Sequence, residues 1–133
     1  MLNISNYLRN KLLDKAVSGT NFTPGANLFI RLFTTPLDRD AVGTELDNLG
    51  YTPLQVANNL TTFPAASSGA KANAVRFDFE PAEEDWNPIL SIGIFDASTA
   101  GNLYFYQNLD DALQIDDEQN LYFDIGDIQF EIL

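Results

Sequence analysis

Cysteine and histidine are both missing from this chain of 133 residues. Without cysteine there is no disulfide framework, no thiolate nucleophile and no cysteine-based zinc site. Without histidine the commonest general base and the commonest transition-metal ligand are gone, and with them any Ser-His-Asp triad. Basic residues are scarce: seven stand against nineteen acidic ones, a formal charge of -12, and no segment gathers them into a patch. Phosphate backbones and anionic membrane surfaces are held by clustered cations, so neither nucleic acid nor membrane is expected as a partner. No apolar run approaches the length of a membrane span, and Met1-Leu-Asn-Ile-Ser-Asn6 lacks the apolar core of a signal peptide. Synthesis and retention in a cytoplasm is the expectation. A Gly-rich phosphate loop and a Gly-x-Ser-x-Gly elbow are absent too.

What the chain does have is a strong central hairpin pattern. In Ser91-Ile-Gly-Ile-Phe-Asp-Ala-Ser-Thr-Ala-Gly-Asn-Leu-Tyr-Phe-Tyr106 two apolar arms flank a turn of small polar residues ending in Gly101-Asn102. Both arms are apolar on both faces, the pattern of strands covered on each side, so this hairpin is expected in the middle of a sheet.

Ahead of it, Ser5 or Asn6 can cap a helix with Leu8, Leu12, Leu13, Ala16 and Val17 at helical spacing, ended by Gly19. That stripe is narrow. It can cover the chain's own sheet or dock on another subunit, and the tendency of a helix to bury its apolar side favours the first. Leu28 to Phe33 reads as a strand apolar on both faces but for Arg31, which is expected to be exposed or paired with a carboxylate rather than catalytic. Residues 36–50 form a long polar connection of the kind that often binds partners. Tyr51 to Ala57 reads as a strand that lies at a sheet edge or begins after Pro53. Residues 58–73 read as an exposed excursion, Val75 to Glu80 as a half-buried strand, and Leu113 to Ile115 as a further short one. Leu121 to Ile125 and Ile128 to Ile132 read as a closing hairpin turned at Gly126-Asp127. The sum is a mainly β chain: one domain over 1–133, with an N-terminal α-helix within 1–19 and a jelly-roll-like β-sandwich of about seven or eight strands over 27–133.

The segment Gly93-Ile-Phe-Asp-Ala-Ser-Thr-Ala-Gly-Asn-Leu-Tyr-Phe105 resembles the central motif of short phage tail fibre proteins from tailed double-stranded DNA bacteriophages. Asn10-Lys-Leu-Leu-Asp14, Leu28-Phe-Ile-Arg-Leu-Phe-Thr-Thr35, Gly50-Tyr51 and Asn120-Leu-Tyr-Phe-Asp-Ile-Gly-Asp-Ile-Gln-Phe-Glu-Ile132 extend the likeness in order along nearly the whole chain. Asn87-Pro88 departs from it, since relatives tend to carry glycine after the tryptophan. The resemblance implies a virion component, in the tail more than in the capsid, made in the host cytoplasm. Other virion proteins and further copies of itself are then the expected partners. It implies no functional residues.

Chemistry rests on carboxylates alone. A glycosidase needs two of them facing each other about 5 to 10 Å apart, whereas the acidic residues here fall in turns and on outward faces, so an enzyme is not expected. Asp38-x-Asp40, Glu83-Glu-Asp85 and Asp116-Asp-Glu118 offer oxygen ligands for a structural calcium, without the spacing of an EF-hand. Trp86 is expected as a lid on the sandwich edge; the competing reading uses it, with the tyrosines near the loops, as a stacking platform for a host-surface glycan or receptor. A non-enzymatic structural part of the tail or fibre apparatus is the favoured function. A capsid decoration protein and a carbohydrate-binding module are the alternatives, and catalytic, cofactor-binding and metal residues are assigned to none.

Overall fold

The computed structural model describes residues 1–41 and 43–132. Its centre is the hairpin that the apolar arms predict. β6 (Ile89–Phe95) and β7 (Leu103–Leu113) pair antiparallel, and β6 pairs on its other side with β2 (Asn27–Phe33). With β1 (Asn3–Ile4) outside β7 and β3 (Leu54–Ala57) outside β2, the sheet runs β1-β7-β6-β2-β3. β6 takes the middle because both of its faces are apolar and both become covered. β3 starts directly after Pro53 and lies at the edge, where a missing N–H breaks no ladder.

Register sorts the side chains into two cores. Ile30 lies opposite Ile94, Leu32 opposite Ile92, Leu28 opposite Val56 and Ile94 opposite Phe105, and paired residues share a face. On that face they meet Phe63, Phe77, Phe79, Trp86, Leu121 and Phe130. The alternate residues Phe33 and Phe95 point the other way and form a smaller cluster with Leu37, Leu103 and Tyr106. A bulge opposite Ile94 and Phe95 leaves Tyr104 without a ladder partner and brings its ring to the main core, next to Phe105.

Two short ladders close the main core: β4 (Ala70–Ala72) with β9 (Gln129–Glu131), and β5 (Phe77–Asp78) with β8 (Tyr122–Phe123). The expected closing hairpin is therefore corrected, because its two arms pair with different strands. Asn73 is the cause. Buried between the ladders, its amide donates to the carbonyls of Val75 (2.8 Å) and Asp124 (3.0 Å), and its oxygen accepts from Gly126 N–H (3.1 Å) and Ile128 N–H (3.0 Å). One side chain thus takes up the backbone groups that a hairpin would pair across the turn. The excursion expected at 58–73 is also tighter than its composition predicts, since it holds β4 and buries Thr62 and Phe63. Val75 stays outside, and the strand expected at 75–80 shrinks to β5. The chain is mainly β with one amino-terminal helix, as expected, but several of its strands are only two or three residues long.

That helix, α1 (Asn6–Ala16), is capped by Ser5, whose Oγ accepts from Leu8 N–H at 3.1 Å and donates to the Leu103 carbonyl at 2.6 Å. The cap therefore also fastens α1 to β7. Tyr7 stacks on Tyr104 with ring centres 6.1 Å apart. Leu8 is buried, yet Leu13 is 61% and Val17 71% exposed. The expectation that the whole stripe packs on its own sheet fails past Leu8, since Leu12 and Ala16 are exposed as well.

Candidate functional site

Arg31 sits on the second face of the sheet, and its environment is built from the connection at 34–50. Phe33 bridges to Glu45, so that Glu45 faces Arg31, which donates to it through Nε at 3.1 Å and Nη2 at 2.7 Å. Nη1 donates to the Ala100 carbonyl at 2.7 Å, and the guanidinium lies 4.1 Å from the centre of the Phe95 ring. Tyr51 donates its hydroxyl hydrogen to Glu45 at 2.6 Å and accepts from Leu32 N–H at 3.0 Å. Burial, reinforced by the hydrogen bond to Glu45, pushes the Tyr51 phenol far above its ordinary range. The group is a satisfied internal brace: Arg31 is carboxylate-paired, as expected, and each of its three side-chain nitrogens has an acceptor. Part of the connection is a cover on the sheet. Leu37 and Leu46 are buried, and Asn108 holds Leu37 through both N–H and C=O.

Trp86 is 2% exposed, with Tyr51 against it edge-on at 5.9 Å and its Nε1–H donated to the Leu49 carbonyl at 2.9 Å. It belongs to the core, so Trp86 itself offers no open ring face to a glycan. The carboxylates that might hold calcium are spread out and used locally. Asp38 accepts from Asp40 N–H, Asp85 from Asp117 N–H, and Glu84 from Leu49 N–H and the Asn48 amide. Those two donors hold the Glu84 carboxyl below the usual glutamate range, the Leu49 amide contributing most. Among the described residues no three acidic side chains gather as a metal site.

An apolar surface lies under α1. A groove of about 330 Å³ opens between the helix, the turn at 22–24 and the β4–β9 ladder. Leu8, Leu12, Phe22, Phe63, Phe105 and Phe130 form much of its apolar wall. Burial raises the pKa of Tyr104 in the same wall. Leu8, Lys11, Leu12 and Lys15 share one helical face by their spacing of three, four and seven, so two cations flank the groove's apolar lip. Lys71 lines the opposite wall. Sequence reading found the helix stripe but missed the groove, whose other wall comes from β4, the strand hidden in a stretch of alanine, serine and glycine.

A family model described as Podophage GP4 fiber I protein gp80 matches residues 3–131. No curated protein matches the chain.

Proposed function

Because the chain belongs to the podophage GP4 fibre I protein gp80 family, we propose that it is a non-enzymatic part of the phage tail fibre apparatus that joins other virion proteins through preformed surfaces. The observation that carries this reading is the extent of the match, which runs from β1 to β9 and so takes in the whole fold. The geometry supports it. Polar groups are engaged in holding the fold, as in the Arg31–Glu45–Tyr51 brace, while apolar side chains such as Leu13 and Val17 face outward on a helix pinned to the sheet. An exposed apolar helix face beside a groove is an assembly surface by its chemistry.

Quantitative mass spectrometry of purified particles tests the reading, with the portal and major capsid proteins as internal standards. A copy number that follows tail symmetry is expected. A number that scales with the capsid protein makes the chain a decoration protein instead, and absence from clean particles removes the structural role altogether.

A further inference from the structure

We infer that the groove under α1 is a docking site for a second copy of this chain, which inserts the exposed Leu49 turn from its opposite end. The charge distribution selects this occupant. Residues 6–16 carry Arg9, Lys11 and Lys15 against Asp14, a net +2, so with -12 overall the rest of the chain carries -14. Of the remaining cations, Arg31 and Arg76 are in ion pairs and Arg39 donates to the Ile4 carbonyl. Lys11 and Lys15 share the helical face of the groove-lining Leu8 and Leu12, and Lys71 stands in the opposite wall against Glu131, so the groove's surroundings are cationic on an otherwise strongly acidic protein, which fits an apolar knob surrounded by carboxylates.

Leu49 is such a knob. Its side chain is 63% exposed although its backbone is fixed on both sides. Its N–H donates to Glu84 at 2.9 Å, and its carbonyl accepts from the Trp86 indole at 2.9 Å and from Glu83 N–H at 3.1 Å. Asp47 stands in the same turn, and Glu83, Glu84 and Asp85 in the segment bonded to it. A leucine held rigid and wet is preorganised for burial, since little freedom remains to be lost. The other exposed apolar tips fit less well. Leu60 lies in sequence between the groove-lining Asn58 and Phe63, and the turn that carries Ile125 holds two carboxylates, Asp124 and Asp127, against the four of the Leu49 turn and the segment bonded to it.

Groove and knob lie toward opposite ends of β2, with Leu28 in the groove and Leu32 N–H bonded to the Tyr51 hydroxyl just after the knob. The contact is therefore head-to-tail, and a head-to-tail contact closes a ring or extends a filament according to its rotation. Two grooves face to face would set lysines against lysines.

Sedimentation velocity on the full chain tests this. Association that weakens with rising salt is expected, because exposed charge pairs are screened within about 8 Å at physiological ionic strength. Leu49→Gln and the double variant Lys11→Glu/Lys15→Glu should each weaken association by about tenfold or more with unchanged circular dichroism and melting temperature. Mixed together, the two variants should form a dimer, since one intact knob then meets one intact groove. A wild-type chain that stays monomeric at millimolar concentration, variants that associate normally, or a mixture that fails to complement overturns the inference. The inference deepens the fibre reading by naming a partner, but particle composition decides that reading separately: a monomeric chain present in the tail refutes docking and leaves fibre membership intact.

Discussion

Asn73 makes four hydrogen bonds from one buried amide, and they hold the turn between β8 and β9 to the segment after β4. Asn73→Ala takes the side-chain partner from the buried Ile128 N–H and from the Val75 carbonyl, while Gly126 N–H keeps the Asn73 carbonyl and the Asp124 carbonyl keeps Asp127 N–H, and we expect a loss of about 2 kcal/mol in urea unfolding. Tyr51→Phe keeps the ring against Trp86 but leaves Leu32 N–H without its acceptor and takes one donor from Glu45, which keeps Arg31, at a cost of about 1–2 kcal/mol. The same phenol sets an alkaline limit. Its folded pKa is raised, so its contribution is complete below about pH 10, where the unfolded phenol ionises, and is lost as the pH rises beyond. Wild type should therefore lose stability above pH 10 more steeply than Tyr51→Phe. Glu84 gives the opposite sign at the acid end. Its folded pKa is lowered, so what it adds to the Leu49 turn is present above the ordinary glutamate value and fades as the pH falls through the lower folded one. A carboxyl NMR titration should place Glu84 below the ordinary glutamate value, and Asn48→Ala should move it part of the way back.

Among elements, α1 divides along its length, with Leu8 buried in the first turn and every residue from Arg9 on exposed. Leu8→Ala removes a core contact and should cost about 2–4 kcal/mol, whereas Leu13→Lys should stay within about 0.5 kcal/mol by thermal melting. Ser5→Ala should cost about 1–2 kcal/mol, because it removes both the cap and the bond to Leu103. Gly50 fixes the Leu49 turn: its φ is +86°, and a Cβ there would stand 2.6 Å from Glu83 N. Gly50→Ala should therefore loosen the knob as well as destabilise the chain, seen as weaker amide protection at Leu49. The elements legible from sequence are those whose pattern alone decides them: the two-sided apolar arms of β6 and β7, β2 around Arg31, β3 after Pro53, and the Ser5 cap. β4 was illegible because Ala70-Lys-Ala72 carries no alternation; it is a strand only because β9 lies beside it. The pairing of β8 and β9 was illegible because alternation marks strands without naming neighbours, and a single asparagine distant in sequence diverts both. The groove could not be read at all, since its walls come from α1, β4, β7 and β9, elements that only the fold brings together.

For the molecule as a whole, the interior is settled by hydrophobic burial and internal polar bonds, and the exterior divides by charge. α1 carries a net charge of +2 and Lys71 adds a cation on the opposite wall of the groove, while carboxylates dominate the rest of the chain. Such a dipolar division favours ordered contact with neighbours over indiscriminate sticking, because like surfaces repel and unlike surfaces attract. It suits a small subunit of an assembly, and the family of fibre proteins to which the chain belongs is one. The most direct test is a cryo-EM reconstruction of the tail of the virus particle, with the five-stranded sheet and α1 fitted to density. Density for this fold within the fibre apparatus, repeated according to the tail's symmetry, is the expected result. Its presence on the capsid shell alone, or its absence from the tail, would contradict a role in the fibre.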